Sequence, residues 1–386
     1  MTGPLGPSGP RVAVVGIHGH GASHLRNVTR LAACGQAELV AVADPQGASR
    51  HGADGQGAAD LPAGVQVFAG LDELLAATAV DVVVICTPIQ THVPLAELAM
   101  RAGADVLLEK PPTATLAEFE RLSEVVAKTG RACQVGFQAQ ASEATLKLAS
   151  MIAAGQLGEL RGISATGKWV RKARYFQRAR WSGRRRLDGI DVVDGAVTNP
   201  LAHAAAAALL LDGSTGVDDV RTVETELYRA NPIESDDTSS VRITTTRGTP
   251  ILIAVTLCAT EHLEASVIVH GSEGRAVLMY QSDLIDGTKY GRADLLENLI
   301  AHRADPAVPL YCPLHATGGF TRVVEAVRTA PDPIEIPAEL VRWEGDGPER
   351  RPIVRDVEGW IDRASDELAL FSELGAPWSQ SKGKSQ

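Results

Sequence analysis

The chain has 386 residues, 45% hydrophobic and 22% charged, the make-up of a folded globular protein rather than a disordered one. A formal net charge of −10 excludes general nucleic-acid binding, and no apolar run reaches membrane-span length: "AHAAAAALLL" is too short and is bounded by Asn-Pro and Asp-Gly. Five widely spaced cysteines (Cys34, Cys86, Cys133, Cys258 and Cys312) form no CxxC pair and read as reduced thiols of a cytoplasmic protein.

Residues 1–10, "MTGPLGPSGP", have neither a basic start nor an apolar core and read as a flexible tail without a signal peptide. Then "RVAVVG" (11–16), "ELVAVAD" (38–44), "DVVVICTP" (81–88), "ADVLLEKP" (104–111) and "ACQVGF" (132–137) are short valine-rich runs of the kind buried on both faces. The segments between them place apolar residues three and four apart, as helices do. The sum is a doubly wound α/β domain. After a helix near 142–154, longer and often alternating strands follow, among them "ELRGISATGKWV", "DTSSVRITTTRG", "TPILIAVTLCA" and "GRAVLMY". Turns at Arg247-Gly248 and Gly271-Ser272 predict hairpins and a large, open, mainly antiparallel sheet. Helical patterns return at 292–303, 314–329 and 357–374, which makes the second domain α+β. "WEGDGPERRP" (343–352) reads as irregular chain, and 379–386 as a second flexible tail.

The stretch "VVGIHGHGASHL" (14–25) is a strand, a glycine-bearing loop and a helix start. Gly16, His18 and Gly21 occupy the three positions of the G-x-G-x-x-G dinucleotide pattern, so His18 stands where the second glycine lets backbone approach the pyrophosphate. Gly19 restores clearance if the loop path shifts, and the helix start beside His20 offers N–H groups to an anion. Asp44 ends the second strand, where an acid accepts hydrogen bonds from ribose, and no arginine follows it immediately; this favours NAD over NADP. His20 and His24 are four apart, but no carboxylate or cysteine joins them at ligand spacing, so no metal site is expected.

"VVVICTPIQTHVPLAELAMRAGADVLLEKPPTATLAEFERL" (82–122) resembles the glucose–fructose oxidoreductase / inositol dehydrogenase / rhizopine-catabolism (Gfo/Idh/MocA) family through Thr87-Pro88, His92 and above all Glu109-Lys110-Pro111. His24, "HGSEGRAVL" (270–278) and "LFSELGAPW" (370–378) extend the likeness over most of the chain. The resemblance implies an NAD(P)-binding Rossmann domain over 11–137, with Thr87, Pro88, His92 and Glu109 in the cofactor site. An α+β substrate-binding and oligomerisation domain would follow over 138–378, assembling a homodimer or homotetramer. It also implies Lys110 as an active-site lysine that meets cofactor and substrate oxygen. The family's second signature, an Asp and then a His four residues later, falls on "DGAVTNPLAHAAA" (194–206): His203 matches, but Asn199 replaces the Asp and Ala206 a later acid. Asn-Pro is also a favoured helix start, which predicts Asn199 as an N-cap that faces the substrate pocket and serves as a substrate-binding candidate, with His203 in the first turn and its ring kept neutral by the helix dipole.

Upstream, "WVRKARYFQRARWSGRRRLDG" (169–189) interleaves eight Lys/Arg residues with aromatics; Tyr175, Arg178 and Trp181 are candidates for contact with substrate, and Gln138 for hydrogen bonds to its hydroxyls. The implied activity is hydride transfer between a nicotinamide and a carbinol of a sugar, polyol or related ring, with Lys110 and His203 handling the proton. Two alternatives stay open. Tightly bound NAD would serve transient oxidation in elimination or epimerisation, or the chain would be a cofactor-binding regulator without turnover, as His18, Asn199 and Ala206 suggest.

Overall fold

Branched residues with polar or glycine punctuation build the first sheet. In the computed structural model, which describes residues 9–47, 61–62 and 64–379, the strands are β1 (Arg11–Val15), β2 (Glu38–Ala43), β3 (Gln66–Phe68), β4 (Val82–Ile85), β5 (Asp105–Leu108) and β6 (Cys133–Val135). Residues 1–8 and 380–386 of the two expected tails lie outside the described residues. The sheet order is β3-β2-β1-β4-β5-β6, parallel throughout. Val12–Val15 and Val82–Ile85 are buried, as a parallel sheet clothed on both faces requires. The clothing is α1 (Gly21–Ala33), α2 (Leu71–Ala77), α3 (His92–Arg101) and α4 (Leu116–Thr129). Strand order reverses between β1 and β4, so their carboxyl ends flank the crevice where such sheets take ligands.

The second unit begins with α5 (Glu143–Ala153), β7 (Leu160–Val170), α6 (Ala173–Gln177), the short pair β8 (Arg186–Leu187) and β9 (Ile190–Asp191), and α7 (Ala202–Asp212). Then come β10 (Val220–Arg229), β11 (Thr238–Thr245), β12 (Pro250–Thr256), β13 (Cys258–Gly271), β14 (Arg275–Met279), β15 (Leu284–Ile285) and β16 (Thr288–Lys289). α8 (Leu295–Ala304), which belongs to the first unit, precedes α9 (Gly318–Thr329), β17 (Ile334–Glu335), β18 (Val341–Glu344), β19 (Arg351–Val354), α10 (Val357–Glu367) and α11 (Phe371–Leu374) of the second. The large sheet runs β16-β15-β14-β13-β7-β12-β11-β10-β17 and is mainly antiparallel, with β7–β12 and β10–β17 parallel.

Both faces of that sheet are covered in its middle. At Gly167 of β7 an added Cβ would strike the Leu201 side chain just before α7; at Gly162, on the other face, it would strike Leu368 just after α10. Trp378, Phe371, Ile361 and Val357 close the second face over Tyr228, Leu252 and Ala254. The expected helix over 357–374 is interrupted at Leu368, whose φ of +52° is left-handed, and restarts at Phe371.

Two expectations are corrected here. "WEGDGPERRP" is ordered: β18 pairs antiparallel with β19, Trp343 lies opposite Pro352, and Gly345 and Gly347 supply the positive φ of the turn. Residues 294–314, assigned from sequence to the second domain, belong to the first unit, which comprises residues 1–113, 117–136 and 294–314. Arg303 of α8 bonds Asp105 (2.6 Å) and Asp81 (3.0 Å), while the Gln134 amide donates to the Leu295 carbonyl (2.5 Å) and accepts from the Cys312 N–H (3.2 Å).

Candidate functional site

The loop after β1 leaves no room for side chains at two of its glycines. A Cβ on Gly16, whose φ is +80°, would lie 2.2 Å from the Cys86 carbonyl oxygen beyond β4; one on Gly21 would lie 1.9 Å from the Gly16 carbonyl oxygen. Gly19 takes φ +56°, the left-handed turn that brings the chain into α1. His18 is drawn aside: its Nε2 lies 3.0 Å from the Gly47 carbonyl, which assigns the ring proton to that nitrogen. The histidine in the second glycine position thus points toward the loop after β2. Asp44, buried at the end of β2, accepts the Ile17 N–H (3.1 Å) and the Gln46 N–H (2.9 Å). Each oxygen keeps a lone pair for a further donor, and Asp44 also fixes the loop it is expected to serve.

The loops after β4 and β5 stand beside this one. Thr87 and Pro88 follow β4, and Thr91 Oγ1 donates to Thr87 Oγ1 at 2.7 Å. His92 is buried with Nδ1 at 2.9 Å from the Pro111 carbonyl and Nε2 at 2.8 Å from that of Thr87. The ring stands between the two carbonyls, so His92 braces the loops after β4 and β5 against each other. Burial pushes its pKa below the ordinary histidine value. Glu109, buried at the end of β5, receives His24 Nε2 at 2.8 Å and His20 Nε2 at 3.4 Å on Oε1, and the Lys110 N–H at 3.0 Å on Oε2. Burial alone would raise its pKa, but the two imidazoles hold it well below the usual carboxylate range, and Glu109 in turn raises that of His20. The sequence expectation that no carboxylate joins His20 and His24 is overturned, because the sheet delivers one from 85 residues beyond His24. Lys110 follows directly, before a cis peptide to Pro111.

In the second unit, α7 is almost wholly buried along its length, which anchors His203 in its first turn. The ring meets Phe137 edge-on, centroids 5.5 Å apart, and lies 6.2 Å from Tyr280. Gln138 follows Phe137 at the start of a short 3-10 turn, and Gln140 in the same turn is buried.

Asn199 is not the N-cap. Leu201 holds that position, and the Asn199 side chain donates through Nδ2 to Asp194 Oδ1 at 2.5 Å. Asp194 is buried, accepts the Gly183 N–H (2.6 Å) on Oδ2 and lies 3.7 Å from the Arg178 guanidinium. The acid absent at position 199 therefore stands behind the asparagine, five residues upstream. Sequence reasoning missed Asp194 although it opens the motif; an acid five residues before an asparagine was the signal. A second buried acid, Asp236, accepts the Ala196 N–H at 3.0 Å, and its Oδ1 would lie 2.0 Å from a Cβ at Gly195, so only glycine fits that approach.

Most cations of the basic run are paired with acids. Lys172, Arg174, Arg178, Arg180, Arg184, Arg185 and Arg186 each have a carboxylate within 4.0 Å. Arg171 instead lies between Trp169 (4.6 Å) and Tyr175 (4.7 Å), and Arg178 between Tyr175 (3.7 Å) and Trp181 (4.7 Å). Tyr175, Arg178 and Trp181 thus form one stacked ladder that joins Asn199 through Asp194.

Comparisons with known proteins bear on the family and the fold. Residues 10–137 match the family model described as "Oxidoreductase family, NAD-binding Rossmann fold", and residues 145–277 match the GFO/IDH/MocA C-terminal domain. An inositol 2-dehydrogenase of Corynebacterium glutamicum is 33% identical over 151 residues, 39% of this chain and 43% of that protein. The match thus spans less than half the length of that relative. One from Rhizobium meliloti is 27% identical over 265 residues, 66% of this chain and 72% of its own. The WlbA dehydrogenase from Bordetella pertussis, solved with NADH and UDP-GlcNAcA, shares the fold with a TM-score of 0.68 at 22% identity, over 83% of this chain and 95% of that one. No helix among the described residues is long and apolar enough to cross a membrane. With both modules matched in order over the two sheets described above, the chain belongs to the GFO/IDH/MocA oxidoreductase family.

Proposed function

We propose that this protein is an NAD-dependent dehydrogenase acting on a carbinol of a sugar, polyol or related ring, in the class of the inositol and nucleotide-sugar dehydrogenases it resembles. The observation that carries the reading is the glycine cradle: Gly16 and Gly21 admit no Cβ, Gly19 turns left-handed, and His18 is held off toward Gly47. That arrangement fits a dinucleotide diphosphate at the start of α1, with Asp44 serving the adenosine ribose. NAD supplies the hydride chemistry when bound.

The chain's own residues position and exchange the proton. Lys110 hydrogen-bonds the substrate hydroxyl oxygen through its ammonium, and Glu109 fixes the backbone from which Lys110 projects. His203 takes the hydroxyl proton; its place in the first turn of α7 favours the neutral ring that a base requires. Asn199 meets a substrate hydroxyl, with Asp194 as its positioning residue. Tyr175, Arg178, Trp181 and Gln138 line the sugar side. The protein works in the cytoplasm as a homodimer or homotetramer.

The test is calorimetric titration of cofactor-stripped protein with NAD⁺, NADH, NADP⁺ and NADPH, followed by a screen of sugars and polyols. Binding of the NAD pair is expected, weakened in Asp44→Ala. Lys110→Ala and His203→Ala are expected to abolish turnover with NAD affinity unchanged. Binding of none of the four dinucleotides would refute the reading.

A further inference from the structure

His20 and His24 are one helical turn apart at the start of α1, so their rings stand over one face of it, centroids 5.3 Å apart and nearly perpendicular. Glu109 reaches both from the end of β5. One ring nitrogen of His20, one of His24 and a Glu109 carboxylate oxygen all lie within 4.8 Å of one another. The Glu109–His24 side is enclosed, with side-chain exposures of 8% and 11%, whereas His20 is 61% exposed. The cluster is therefore a cup with a fixed floor and one open side.

We propose that His20, His24 and Glu109 form a binding site for a divalent transition-metal ion of the Zn²⁺ class, with its open position toward solvent. Zn²⁺ bonds to imidazole nitrogen and carboxylate oxygen are about 2.0–2.1 Å long, which puts neighbouring ligand atoms of a tetrahedral site about 3.3 Å apart. His20 Nε2 and Glu109 Oε1 already stand 3.4 Å apart; His24 and Glu109, at 2.8 Å, open by about half an ångström, within the reach of a small side-chain rotation. Two imidazoles and one carboxylate suit Zn²⁺ and its neighbours rather than Mg²⁺ or Ca²⁺, which take oxygen ligands. The ion occupies the Nε2 lone pairs, so each ring carries its proton on Nδ1 and the two bonds to Glu109 give way to coordination. The Lys110 N–H at 3.0 Å from Glu109 Oε2 holds the carboxylate from behind, as a supporting shell does at metal sites. The three ligands assemble in this chain because His20 precedes His24 by four and β5 delivers Glu109 to the same face of α1.

The site is tested on the full-length, tag-free chain after chelator treatment, by calorimetry with Zn²⁺ and by visible absorption with Co²⁺. One ion per chain is expected, and Co²⁺ should give the intense bands of a four-coordinate site. His20→Asn, on an exposed side chain that does not carry the fold, should weaken binding on the order of 100-fold. His24→Gln should do the same, with its folding checked by far-UV circular dichroism. Absence of Zn²⁺ binding to the native chain, or unchanged binding in His20→Asn, would overturn the proposal. It does not rest on the hydride-transfer reading, since titrating the same preparation with NAD scores that reading separately.

Discussion

Restoring the family's acid at position 199 is expected to harm this protein. The Asn199 amide nitrogen lies 2.5 Å from Asp194 Oδ1, so Asn199→Asp replaces a donor with an oxygen facing a buried carboxylate. Two unit charges about 3 Å apart at an effective dielectric of about 20 repel by roughly 5 kcal/mol. One pKa unit corresponds to about 1.4 kcal/mol, so the new pair retains a proton three to four units above an ordinary carboxylate, less what Arg178 at 3.7 Å offsets. A raised carboxyl pKa makes the folded state hold a proton that the unfolded state has lost. The variant's stability therefore falls by about 1.4 kcal/mol per pH unit, relative to the native chain, from about pH 4 upward until the raised value is passed. Below that window the gap closes. Urea unfolding between pH 4 and pH 8 measures it directly. The double variant Asp194→Asn with Asn199→Asp exchanges the two groups, keeps one charge and one hydrogen bond, and should recover most of the loss. If the single variant's stability ran parallel to the native profile across the range, Asn199 and Asp194 would not be the coupled pair described here.

Two further outcomes follow from the first unit. Gly21→Ala should abolish dinucleotide binding and cost roughly 1–3 kcal/mol in thermal unfolding, because its Cβ would stand 1.9 Å from the Gly16 carbonyl oxygen; unchanged NAD titration would count against the cradle. Asp81, held down to about 2 by the hydrogen bonds and charge of Arg11 with a contribution from Arg303, should contribute about 2 kcal/mol above its unfolded value near 4, lost as pH falls through about 2. Asp81→Asn should therefore be less stable than the native chain at pH 7 and converge with it below that window, as read by chemical unfolding.

Much of the first sheet was legible because its strands are buried on both faces and valine-rich, as in Val82–Ile85. β3 was not, since three half-exposed residues at a sheet edge carry no pattern. The hairpin over 341–354 hid behind turn residues that read as disorder, although glycines at 345 and 347 are what a tight reversal uses. At the site, glycine spacing and the Glu-Lys-Pro motif are local signals. Glu109 meeting His20 and His24 is not local, because only the β1–β4–β5 order brings them together. Asn199 shows the same limit at short range: a cap and a hydrogen bond to Asp194 use the same side chain, and burial of the acid decided between them.

The return of residues 294–314 to the first unit gives this protein an awkward birth. Gln134, at the heart of β6, waits for the Leu295 carbonyl and the Cys312 N–H, and Asp105 waits for Arg303. At about 5–20 residues per second, a ribosome needs roughly 10–35 s to travel from the end of β6 to the close of that segment. Until then a cofactor-type unit that looks finished at residue 137 carries buried polar groups without their partners. Anyone transplanting that unit into another enzyme, or truncating the gene after it, inherits the same deficit unless the distant helix travels with it.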